Sequence, residues 1–130
     1  MPQLPIMPTM PLINRIEFAT KLEQRLLFLS KQAYLFVRNL SKDVANREYA
    51  DQFLRSVSSV GANYIEANES ESRKDFFHRI KICRKETKEA LYWLDLIIFA
   101  NPSLKQNSDF IEKELNEMLK LFSSILKSNN

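Results

Sequence analysis

The chain is predicted to be an all-α protein, an antiparallel up-down four-helix bundle preceded by an extended Pro-rich arm. Three observations carry this. The 130 residues contain one Gly and five Pro, four of them before residue 12, so the rest of the chain has almost nothing to interrupt a helix. Apolar residues recur at alternating spacings of four and three in four separate segments, the signature of a buried helical seam. The links between those segments are short and polar, which suits antiparallel neighbours.

The arm, residues 1–14, comes first. Pro2, Pro5, Pro8 and Pro11 recur every third residue, so in a polyproline II conformation they share one edge. Leu4, Ile6, Met7, Met10 and Leu12 give the segment apolar groups with which to lie on its own bundle or a neighbour. Without Lys or Arg and broken by proline, it does not read as a signal peptide.

The bundle is assigned to residues 15–130, with helices over about 15–41, 47–68, 73–100 and 108–127. In the first helix, Leu22, Leu26, Leu29, Ala33, Phe36 and Leu40 form the seam. Leu27 with Tyr34, and Phe28 with Leu35, are further seven-residue pairs well off it. One buried face cannot hide all of these groups, so a second protein surface is expected over them. In the second helix the seam is Ala50, Phe53, Val57, Val60, Tyr64 and Ala67, with Leu54, Gly61 and Ile65 alongside. Ser56, Ser58, Ser59, Gly61 and Ala62 make the middle slim and let another helix approach closely.

The corner NESESRKD places Ser72 three residues before Asp75 and just ahead of Phe76 and Phe77, close to a capping box opening the third helix. Its seam runs Phe76, Ile80, Cys83, Thr87, Ala90, Leu94, Ile97, and Asn101-Pro102 ends it. The fourth helix opens near Asn107 or Ser108 and buries Ile111, Leu115, Met118, Phe122 and Ile125. Acids at its start and lysines toward its end suit the helix dipole.

Composition narrows the function. The lone Cys83 can form no internal disulfide, which points to a reducing compartment and a cytoplasmic location. No apolar run approaches the roughly 18–20 residues of a membrane span. A bundle di-iron site needs Glu-x-x-His on two helices, and the chain has one histidine, so that chemistry fails on inventory. Cys83 lies on a core seam, and no histidine shares its face to activate it. One glycine cannot build a phosphate-cradling loop. No catalytic group, metal, cofactor or small-molecule substrate is therefore expected.

Two polar faces remain. On the third helix Lys74, His78, Lys81, Lys85 and Lys88 fall in one stripe opposite the core seam, and Tyr92 extends it. Between Arg73 and Lys88 there are seven Lys or Arg against Asp75 and Glu86, a rail that could track phosphates; the ordinary alternative is a solvated outer face. On the second helix Glu48, Gln52, Arg55, Ser59, Asn63 and Glu66 form a ladder facing either solvent or another subunit. Trp93, Phe76 and Phe77 read as packing anchors, a base-stacking role for Trp93 or Tyr92 being the alternative.

The hairpin carries a resemblance. Arg55-Ser56-x-x-Ser59-x-x-x-Asn63-Tyr64-Ile65-Glu66-Ala67, then Glu71-Ser72-Arg73-Lys74-Asp75-Phe76, Lys85-Glu86 and Tyr92-Trp93-Leu94, resembles the bacterial 23S rRNA-intervening-sequence proteins over about residues 20–125. The family's usual Ala-Glu is here Ile65-Glu66, and the glycine often found next is Ala67. The resemblance implies an antiparallel four-helix bundle assembled as a ring, typically a homopentamer, encoded in some bacteria within insertions of large-subunit rRNA genes. It also implies a nucleic-acid-associated scaffold, because a related group of pentameric bundles serves reverse transcriptases as accessory factors. Arg55, Ser59, Asn63, Glu66, Asp75 and Phe76 carry over as structural or interface positions. The function expected is a non-enzymatic, ring-forming scaffold contacting RNA or a ribonucleoprotein through the third helix. The alternative is a protein–protein interaction module that binds no nucleic acid.

Overall fold

The computed structural model describes residues 11–129. Four helices fill most of that span: α1 (Leu12–Val37), α2 (Val44–Asn68), α3 (Arg73–Ala100) and α4 (Asp109–Lys127), with two 3₁₀ turns at Pro102–Leu104 and Gln106–Ser108 between the last two. Each helix packs antiparallel on its sequence neighbour, and α4 closes the bundle lightly against α1. The α2–α3 contact is the most extensive.

The helix ends depart from expectation in ways the caps explain. Residues 1–10 of the arm lie outside the described residues, but Leu12–Asn14, assigned to the arm, are already helical. Pro11 stands at the N-cap, where its missing N–H costs nothing, and its carbonyl accepts from Asn14 and Arg15 at 3.0 and 3.2 Å. At the other end α1 stops at Val37 rather than Ser41, because the chain tightens: Asn39 N–H turns to Phe36 and Leu40 N–H to Val37. Helix α2 opens at Val44, three residues before the expected Arg47. Asp43, expected in the link, is its N-cap, accepting from the Asn46 backbone N–H at 2.8 Å.

Ser72 caps α3 as expected, its hydroxyl accepting from Asp75 N–H at 3.0 Å. Ser108 occupies the N-cap position of α4 but does not cap it, since its hydroxyl donates to the Lys105 carbonyl at 2.7 Å instead.

The core follows the seams. Leu22, Leu26, Leu29, Ala33 and Phe36 of α1 meet Phe53, Val57, Val60, Tyr64 and Ala67 of α2, the Phe76-to-Ile97 line of α3 and all five seam residues of α4. Each large side chain so buried contributes about 1.5–3 kcal/mol through lost water contact. Ala50, placed on the seam, is only half-buried, and Ile65, placed beside it, is half-exposed. Ser56 and Thr87 are fully buried without loss because each hydroxyl returns to the carbonyl four residues back, Gln52 and Cys83 respectively. Gly61 faces α1, but a Cβ at that position would lie 3.5 Å from Leu26 Cβ, at ordinary van der Waals distance, so the helix approach does not itself require glycine there.

Candidate nucleic-acid interface and apolar faces

Lys74, His78, Lys81, Lys85 and Lys88 are all exposed on α3, and among the described residues none forms an ion pair. At 100° per residue they depart from a common line by no more than about 40°. The helix sorts its basic groups. Arg79 turns away toward α2, where it meets Glu66 at 2.7 Å and donates to Asn63 Oδ1 at 3.0 Å. Arg73 lies over the Phe77 ring, 5.0 Å from its centroid, and reaches the Ser128 carbonyl at 3.4 Å. The lysines of the stripe thus stay out of ion pairs among the described residues, while Arg73 and Arg79 serve structure. Near its start an open groove is lined by Arg73, Lys74, Phe77, His78, Lys81 and Asn129.

The ladder on α2 is used within the chain. Arg55 pairs with Glu89 of α3 at 2.8 Å and donates to Gln52, which in turn donates to Glu48. Asn63 donates to the Ser59 carbonyl and accepts from Arg79. Arg55, Asn63 and Glu66 therefore lock α2 to α3, and Ser59 sits half-buried between them. Sequence reasoning misses Glu89, whose Oε1 also accepts from the Trp93 indole N–H at 3.4 Å. The i to i+4 spacing of Glu89 and Trp93 is the available signal.

The surplus apolar groups of α1 stay outside. Leu27, Phe28, Tyr34 and Leu35 are 57%, 51%, 55% and 46% exposed. They form two strips about 100° apart. Leu27 borders a shallow apolar groove between α1 and α2 with Leu26, Ser30, Gly61, Ala62 and Ile65. Phe28 stands on the α4 side, edge-to-face with Phe110 at 5.7 Å, and Leu35 lines the next depression with Phe110. Phe110 and Ile65 are additions to the expected surface patch; each sits one residue off a seam residue, a rotation of about 100° that periodicity alone could flag.

Burial pushes the Cys83 thiol up to about 12, and its sulfur faces the Val60 carbonyl. Burial likewise raises the Tyr64 phenol. Among the described residues no group of three or more His, Cys, Asp or Glu could hold a metal ion, and no helix is long and apolar enough to cross a membrane.

The fold and its surface define a helical-bundle protein with one cationic edge and two uncovered apolar strips. The chain belongs to the 23S rRNA-intervening sequence protein family, whose profile matches residues 20–124. Among solved structures it is similar to a protein of unknown function from the S23 ribosomal protein family of Bacteroides thetaiotaomicron VPI-5482, at 32% identity and TM-score 0.71, covering 81% of this chain and 97% of that one. No curated protein matches the chain.

Proposed function

We propose that this protein is a non-enzymatic, cytoplasmic scaffold that assembles into a ring of identical subunits and contacts nucleic acid, RNA or a ribonucleoprotein, along α3. The observation that carries the reading is the line of five exposed basic groups without an ion-pair partner among the described residues. The four lysines, cations held in a row on one rigid helix, attract a polyanion and release its counterions. Repetition around a ring multiplies a weak edge by linked copies, raising avidity with no new contact. The two exposed strips of α1 support assembly: they are different surfaces, so a contact joining one to the other is head-to-tail, the kind that closes rings. A homopentamer is the ring size that the family resemblance implies. In that assembly Arg55, Ser59, Asn63 and Glu66 stiffen the α2–α3 pair beside the contact.

The test is a titration of structured RNA at several salt concentrations. Binding weakens steeply with salt, and Lys81→Glu with Lys85→Glu lowers affinity by about tenfold or more and flattens the salt slope. Unchanged binding in the double variant removes α3 from the account. A second reading, an interaction module for another protein, draws on the exposed Leu27 and Tyr34. It predicts a partner that stays bound through nuclease treatment and high salt.

A further inference from the structure

The cationic line on α3 continues into an aromatic one. Tyr92 stands four residues beyond Lys88, on the same line, and is 59% exposed. It is not a loose side chain. Its ring meets Trp93 edge-on, with centroids 5.2 Å apart and an interplanar angle of 80°. Trp93 in turn packs against Tyr49 of α2 at 6.2 Å, and its indole donates to Glu89, the carboxylate that also receives Arg55. Two helices and an ion pair therefore hold Trp93, and Tyr92 rests edge-on against it with much of its own ring open to solvent. One turn further on, Asp95 is exposed and negative.

The lysines span about 21 Å of helix rise, from Lys74 to Lys88. At Tyr92 the line changes from attracting phosphate to offering a flat face, and at Asp95 it repels phosphate. In a duplex the bases are sealed between the strands and have no face to give to an aromatic lying in line with the backbone contacts. In a single strand the bases are free, and stacking on an aromatic beside a basic groove is how such strands are held without sequence preference.

Resting on the nucleic-acid reading above, we infer that the partner is a single-stranded polynucleotide, with its phosphates on Lys74 to Lys88 and one base stacked on Tyr92. The experiment uses the full chain and fluorescent 12-nucleotide oligo(U) and oligo(dT), with a blunt 12-base-pair RNA duplex as the comparison. The single strands bind more tightly than the duplex. Tyr92→Ala and Tyr92→Leu each weaken single-strand binding by about 5- to 150-fold, the range for loss of one base–aromatic stack, and leave duplex binding and the salt slope unchanged. Tyr92→Phe keeps the affinity. The leucine variant retains an apolar side chain over Trp93 and so separates stacking from any packing loss in the alanine variant. The inference is overturned if the duplex binds as tightly as the single strands, or if Tyr92→Leu leaves single-strand affinity unchanged. If Lys81→Glu with Lys85→Glu still abolishes salt-dependent binding in those cases, the cationic edge stands and only the stacking site falls. If no probe binds in a salt-dependent way, both readings fall together.

Discussion

Asn46 and Asn101 trade amide hydrogen bonds: Asn101 Nδ2 donates to Asn46 Oδ1 at 2.8 Å, and Asn46 Nδ2 donates to Asn101 Oδ1 at 3.2 Å. Asn46 is in the first turn of α2 and Asn101 is the C-cap of α3, so this exchange ties one end of the hairpin shut. Each amide also holds its own chain end, Asn46 donating to the Ser41 carbonyl and Asn101 to that of Ile97. Asn101→Ala leaves the buried Asn46 amide short of a partner and is expected to cost about 1–3 kcal/mol. Urea denaturation at fixed protein concentration measures it. An unchanged midpoint means that the pair is ornamental.

The strip on the α4 side of α1 offers a test of assembly that spares the fold. Phe28→Glu with Leu35→Lys places charges on side chains that are half-exposed and off the core seam. Helix content is expected to hold, with subunit stability falling by about 0.5–1.5 kcal/mol at Phe28, which gives up its edge-to-face contact with Phe110, and changing by about 0.5 kcal/mol or less at Leu35. The mass measured by light scattering falls toward that of one chain. A wild-type protein that is monomeric at micromolar concentration contradicts the ring directly.

Glu86 gives the fold a pH dependence. Burial pushes its carboxyl above the ordinary value of 4.5, and nearby Glu89 acts in the same direction, against Arg55 and Lys85. Its Oε2 is buried without a hydrogen-bond partner among the described residues. The folded protein therefore holds this proton more tightly than the unfolded chain. The resulting stability is fully present below the unfolded value and is lost as pH rises through the higher folded one. Glu86→Gln is expected to raise the melting temperature at pH 7 and to flatten its decline above about pH 4.5, where the group begins to ionise in the unfolded chain. Subtracting variant from wild-type melting temperatures across pH isolates this group from the other carboxylates. A difference that does not vary with pH counts against its role.

Cys83 reports opening of the core. With its thiol pushed up to about 12 and its side chain fully buried, it presents almost no thiolate at pH 8. Labelling by a thiol reagent is expected to be negligible in the native protein and to rise with the urea unfolding curve. Rapid labelling without denaturant reveals local opening of the α2–α3 contact.

Seams are legible in the sequence because a helix that buries one face must repeat its apolar residues at that face, and every position on the expected lines of α3 and α4 is buried, with Phe77 and Glu86 of α3 buried beside them. Ends are less legible. Asp43 reads as link because a single polar residue among Ser41, Lys42 and Asn46 gives no sign of which one will cap. The basic line on α3 can be read from spacing alone, since every member lies on one element. The Arg79–Glu66 and Arg55–Glu89 pairs cannot, because whether a polar ladder faces water or a neighbouring helix depends on how two helices rotate against each other. The exposure of Phe28 and Leu35 is foreseeable by exclusion: the seam has already claimed the interior.

The contact between Arg73 and Ser128 brings the end of α4 beside the opening of α3, and Asn129 lines the groove with Lys74, His78 and Lys81. A purification tag fused after that end would hang over the mouth of the cationic edge. A histidine or acidic tag there would add its own charge to any titration, masking or mimicking a ligand, so affinity measurements need that end left bare.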